Sequence, residues 1–171
     1  PEPVPADRVH PLEEGDTIDL GAATLDVYHA PGHAFHQAIF HDADAETVFA
    51  ADAAGIYVPA LDAIAETSPP PGFDLEGVIA DARLIDDLNP STICYGHFGP
   101  APADGRIEEY IDLTERWVET IDEMRARLDV AEIAERLTER SETTAVWGER
   151  NAGEEIEMNV RGVLRYLERS D

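Results

Sequence analysis

The stretch HAPGHAFHQAIF, residues 29–40, holds His29, His33 and His36, half of the six histidines in the chain, around a Pro-Gly corner. Imidazole nitrogens bind metals and carry protons near neutral pH. Two more segments end an expected strand in a loop that carries a residue of the same use. VFAADAAG places Asp52 at a strand end, and ICYGHFGP places His97 in a loop with Gly96 and Gly99. Glycine beside such residues lets backbones approach closely. A His/Asp set suits a zinc-type ion, with ligand distances of ~2.0–2.2 Å. A carboxylate can also bridge two ions ~3.5–4 Å apart. Taken singly, each motif has an ordinary reading: a hydrogen-bonded loop histidine, or an aspartate capping a helix. Three of them in order, each closing a strand, point to one site at one sheet edge.

The elements that must position these residues are legible as periodicity. Ile18, Leu20, Leu25 and Val27 alternate around Gly21 and predict a β-hairpin. A second hairpin is expected from strands at 37–41 and 47–51, joined by the acidic turn Asp42 to Glu46. The stretch from Gly55 to Phe73 reads as a long loop closed by Pro69, Pro70 and Pro71. Leu75, Val78, Ile79, Ala82, Ile85 and Leu88 have helical spacing, and Asn89-Pro90 ends that helix. STICYG is a short buried strand running into a Gly/Pro loop. From Asp104 onward the pattern turns helical. One long amphipathic helix carries Ile107, Ile111, Trp117, Val118, Ile121, Met124 and Leu128. A second helix starts at Asp129 as N-cap, and a third covers EIEMNVRGVLRYLER. The boundary expected from this shift separates residues 1–103 from a helical appendage at 104–171.

Charge narrows the function classes. Acidic residues number 37 and basic residues 12, all of them arginine, for a formal net charge of −25. Such a surface repels itself in dilute buffer. At ~1 M salt the screening length falls to ~3 Å. The acids are scattered along the chain, which resembles cytoplasmic proteins of salt-accumulating halophilic archaea. Nucleic acid is excluded as a partner, because phosphates demand a basic face. No apolar run approaches the ~20 residues of a membrane span. The single cysteine, Cys94, allows no internal disulfide and fits a reducing cytoplasm. The chain opens at Pro1, in the run PEPVPADRV, and residues 1–16 read as an acidic connector, so a piece of a longer polypeptide is expected.

The run from about Leu12 to Pro102 resembles the C-terminal half of a metallo-β-lactamase-fold hydrolase. The resemblance rests on PGH at 31–33, FAAD at 49–52 and GH at 96–97, with TSPPPGFDLE and GHFGP as further likenesses. It implies half of a four-layered αββα sandwich, an α/β fold. It implies that His33 completes one metal site, that Asp52 bridges two ions and is catalytic, and that His97 sits on the second ion. It further implies zinc or another divalent metal, two ions in the full-length protein, and a metal-bound hydroxide as nucleophile. Two departures concern neighbours of the ligands. The family often has glycine before the bridging aspartate, where this chain has Ala51. Many relatives place a histidine four residues after the Pro-Gly-His histidine, where this chain has Gln37. A third departure is larger: the His-x-His-x-Asp-His run of the family's N-terminal half is absent from this chain. The half-set alone is therefore expected to be inactive.

The resemblance implies a small-molecule substrate, a thioester, lactone or similar small ester, ahead of a β-lactam or a nucleic acid. The alternative is a non-catalytic acidic α/β domain whose helical tail binds a partner protein. His29 and His36 read equally as neighbours of the metal ligands or as solvated residues. His10 and His41 read as surface residues in turns, Cys94 as a buried inert thiol, and Tyr57 as a substrate contact or, more commonly for such a residue, as packed on the sheet with its hydroxyl in water. Trp117 and Met124 read as core. The helical tail is expected to cover the site mouth or to form a dimer contact. The sheet face meant for the missing half predicts self-association.

Overall fold

The computed structural model describes residues 3–170. The first two positions of the connector and the last of the helical region lie outside the described residues. From residue 3 to residue 16 the connector is exposed, with one 3-10 turn at Ala6–Arg8.

Both hairpins form. The first is β1 (Thr17–Asp19) and β2 (Thr24–His29), with Ile18 opposite Leu25. Its turn uses Gly21 at φ 83°, a conformation that costs a side-chain-bearing residue energy. The second is β3 (Ala38–Asp42) and β4 (Thr47–Ala51). The stretch expected as a long loop contains an antiparallel ribbon, β5 (Ile56–Val58) with β6 (Ala63–Ala65). Strands this short show too little alternation to be read from sequence. Helix α1 (Leu75–Asp87) starts at Asp74, whose carboxylate accepts the Gly77 N–H at 2.9 Å. It stops before Asn89, which sits at φ 49°. Strand β7 (Thr92–Tyr95) then pairs with β8 (Pro100–Pro102), where only a loop was expected. Proline is tolerated in β8 because the strand lies at the sheet edge.

The sheet order is β1-β2-β3-β4-β7-β8, and only the β4–β7 pair is parallel. Strands β2, β4 and β7 therefore run in one direction. Their C-terminal ends share one rim of the sheet.

The helical region comprises α2 (Arg106–Arg125), α3 (Val130–Thr138), α4 (Thr144–Trp147) and α5 (Glu149–Ser170). Helix α3 begins with the expected Asp129, in a capping box with Glu132. The short α4 was not foreseen, and α5 starts at Glu149 rather than near Glu155. Gly148, at φ 80°, makes the corner between them.

One sheet face is covered. Ile39, Val48, Ala50 and Ile93 are fully buried with Val78, Ala82 and Ile85 of α1. The same cluster continues through Tyr110, Ile121, Ile133 and Ile156 of the helices. Each of these valine and isoleucine side chains contributes about 1.5–3 kcal/mol by leaving water. Trp117 and Met124 pack against this cluster, partly buried. His41 corrects the expectation of a surface turn: it lies in β3 opposite Val48, and it is buried. Strand alternation puts it on the face of Ile39. The opposite face carries Phe40, Phe49 and Cys94 in register across three strands. Phe49 is 42% exposed there.

Candidate metal centre

The three expected residues follow the three strands that end on one rim. His33 comes after β2. The intervening Gly32 packs on the start of α1, where an added Cβ would lie 2.2 Å from the Val78 nitrogen. No side chain fits that gap. The Gly32 N–H donates to the Asp81 carboxylate at 2.7 Å, and its carbonyl accepts the Asp74 N–H at 3.0 Å. Helix α1 thus clamps the turn that presents His33. Asp81 is buried, and that burial pushes its carboxyl up to about 6.

Asp52 follows an irregularity in β4, where the register against β7 shifts between Phe49 and Ala51. Ala51 adopts φ 47°, the left-handed region that favours glycine. This is the position where the resembling family often has glycine. An alanine holds the same turn at a cost of about 1 kcal/mol. Bulges of this kind re-aim side chains beside active sites.

His97 follows β7 and Gly96. The Gly96 N–H donates to the Ala51 carbonyl at 3.0 Å, tying the two strand ends together. A Cβ at Gly96 would come within 2.9 Å of Asp52 Oδ1. Only glycine lets the two segments approach.

The result is a carboxylate between two imidazoles. His97 Nε2 lies 3.4 Å from Asp52 Oδ1, and His33 Nε2 lies 3.8 Å from Asp52 Oδ2. Asp52 Oδ1 is buried and makes no hydrogen bond. A buried carboxylate oxygen without a partner is costly unless a cation or donor serves it. His33 is oriented from behind by the Thr67 hydroxyl, 3.3 Å from Nδ1. Burial lowers the His33 pKa, against the opposing pull of Asp52. That favours the neutral ring, the form that binds metal. Two imidazole nitrogens and a carboxylate are donor types that a zinc-type ion accepts. Among the described residues, no three His, Cys, Asp or Glu side chains gather closely enough to hold an ion by themselves.

His29 and His36 stand apart from this set. His29 is exposed at the end of β2, and its N–H donates to the Glu14 carboxylate. His36 is exposed beside the Phe35 ring, close enough to His33 to oppose its protonation. Cys94 corrects the expectation of a buried thiol: it is half-buried, because strand alternation puts it on the open face with Phe49, and the burial it has raises its thiol pKa. Tyr57 lies in β5, where its hydroxyl donates to Asp62 and Arg106 stacks on its ring.

Sequence reasoning missed the residues that hold the site from the helical region. Asn159 of α5 accepts the Ser68 N–H at 2.8 Å, and its carbonyl accepts the Ser68 hydroxyl at 3.1 Å. Gly162 lets α5 press on this segment, since a Cβ there would overlap the Ser68 carbonyl. Ser68 adjoins Thr67, so α5 fixes the residue that orients His33. Glu155 of α5 also borders the site. Burial raises its pKa, while Asn159 and His97 counter that and Asp52 adds to it. The available signal was a buried polar Asn159 on the apolar stripe of α5.

The sequence model of the metallo-beta-lactamase superfamily matches residues 1–97. The chain belongs to that superfamily. Solved structures agree on the fold. An archaeal metallo-beta-lactamase superfamily protein from Sulfolobus tokodaii is 21% identical, with a TM-score of 0.67 over 96% of this chain and 55% of its own. A metallo-beta-lactamase family protein from Thermus thermophilus is 21% identical, with a TM-score of 0.58 over 94% of this chain and 49% of its own. A beta-lactamase domain protein from Burkholderia ambifaria is 18% identical, with a TM-score of 0.65 over 98% of this chain and 49% of its own. This superfamily chain therefore spans about half the length of these proteins, and its fold is half of the αββα sandwich with a C-terminal helical region. No curated protein matches it by sequence. No helix among the described residues is long and apolar enough to cross a membrane.

Proposed function

We propose that this chain is the C-terminal part of a metal-dependent hydrolase that cleaves a thioester, lactone or similar small ester. One observation carries the reading: the buried, unpartnered Asp52 Oδ1 faces His97 while Oδ2 faces His33, at the ends of three co-directed strands. His33, Asp52 and His97 would hold zinc or another divalent metal, two ions in the whole protein. Bound there, the metal supplies Lewis acidity and a water of lowered pKa. Asp52, the catalytic residue of this reading, presents one oxygen to each side of the centre. Thr67 holds the His33 ring, and α1 holds the turn beneath it. Three side chains bind metal weakly compared with a complete set, so the chain alone is inactive in this reading.

The substrate is a small molecule, since a net charge of −25 disfavours both nucleic acid and anionic membranes. The same charge supports a salt-rich cytoplasm as the setting. The test is elemental analysis, in molar salt, of this chain beside the full-length protein. Two ions in the full-length protein and few in the chain are expected. No metal in either would overturn the reading.

A further inference from the structure

Beside His97 the chain builds a second feature that the metal ligands do not use. A cleft of about 480 Å³ opens between the loop after β7 and the α4–α5 corner, with His97 in its wall. Pockets of this size take small organic molecules. Its apolar walls are Phe98, Val146, Trp147 and Ile56. Phe98 adopts φ 64°, a left-handed conformation rare for a bulky residue. Strain of that kind persists where surrounding structure enforces it, often at ligand sites. The Phe98 ring is 59% exposed and stacks on Trp147, with centroids 6.1 Å apart and planes 21° apart. Trp147 is anchored below by the cluster of Ile56, Val58 and Ala65. Its carbonyl accepts the Asn151 side-chain N–H at 3.0 Å, which fixes the α4–α5 corner. The charged lining residue is Glu155; no arginine lines the cleft.

We propose that this cleft, built by the loop after β7 and the helical region, receives one arm of the substrate, and that it takes an uncharged apolar or aromatic group. The walls offer aromatic and aliphatic surface. Glu155 offers no counter-charge to an anion, and an anionic group would be buried beside a carboxylate. Substrates whose arm in this cleft carries a carboxylate are therefore excluded in favour of neutral ones. The assignment of this pocket to a substrate rests on the hydrolase reading. The pocket's chemistry can be tested without it.

The test titrates the chain with 4-nitrobenzyl alcohol, a neutral aromatic quencher, and with anionic 4-nitrobenzoate, following tryptophan fluorescence and calorimetric heat. Trp117 and Trp147 are the two tryptophans, and Trp117 is tied to Ser68 in the core. Saturable quenching by the alcohol is expected, largely lost in Trp147→Phe, which keeps Trp117. The alcohol should bind at least about tenfold more tightly than the benzoate, the scale a single well-placed group discriminates. Glu155→Gln should narrow that gap, and Trp147→Ala should weaken alcohol binding by calorimetry. Unchanged quenching in Trp147→Phe, or equal affinity for the two probes, would overturn the proposal. In the full-length protein, probe binding without metal would sink the hydrolase reading and spare the pocket. Metal-loaded ester hydrolysis without probe binding would do the reverse.

Discussion

His97 Nε2 stands 3.4 Å from Asp52 Oδ1, an oxygen that is buried and makes no hydrogen bond. Asp52→Asn keeps the shape but replaces the anion with an amide. In the full-length protein this substitution should lower bound divalent metal by at least one ion per chain and abolish ester hydrolysis. Elemental analysis and a small-ester assay check it. Full metal content in the variant would remove Asp52 from the ligand set.

The approach of β7 to β4 depends on Gly96. Gly96→Ala forces a methyl group to within 2.9 Å of Asp52 Oδ1 and 3.3 Å of the Ala51 carbonyl carbon. Overpacking of this kind costs about 1–3 kcal/mol. A lower denaturation midpoint in molar salt is expected, together with weaker metal retention in the full-length protein.

Asn159 ties α5 to the segment that carries Thr67. Asn159→Ala removes the acceptor for the buried Ser68 N–H, which costs about 1–3 kcal/mol. Because Thr67 orients His33, the same variant should also loosen the His33 ring. Chemical denaturation measures the first effect, and the His33 imidazole NMR resonances report the second.

Asp81 makes stability depend on pH. Burial pushes its carboxyl up to about 6, above its ordinary value of 3.8. An acid of this kind holds its proton more tightly when folded. That contribution favours folding below about pH 4 and is lost as pH rises through about 6. The difference between those two values corresponds to roughly 2–3 kcal/mol at most. Asp81→Asn keeps an acceptor for the Gly32 N–H without the buried charge. The variant should match or exceed the parent chain in stability at pH 7 and lose its stability slope between pH 4 and 6. Denaturation midpoints across that range check it.

The open sheet face aligns Phe40, Phe49 and Cys94. Burial of such a face against another surface is favourable at roughly 25 cal/mol per Å². The isolated chain should therefore self-associate in high salt, and Phe49→Asp should shift it toward monomer. Light scattering decides this, and a monodisperse parent chain would contradict it.

Much of the molecule is written in local patterns along the chain. Alternation around Gly21 and the acidic turn at 42–46 set both hairpins, and Asp129 with Glu132 set the start of α3. Those signals are local, acting within a few residues, so a linear reading recovers them. The order His33, Asp52, His97 was legible for the same reason, since each residue closes a strand. Other features needed the folded chain. The short β5–β6 ribbon and the edge strand β8 depend on partners distant in sequence. His41 looked like a turn residue until strand register turned it inward. Tertiary packing alone showed that Gly96 must lack a side chain for Asp52 to approach, and that α5 holds Thr67 through Asn159 from 92 positions away. It also set Trp147 against Phe98. Such contacts depend on how helices dock on the sheet, and no periodicity along the chain encodes that docking.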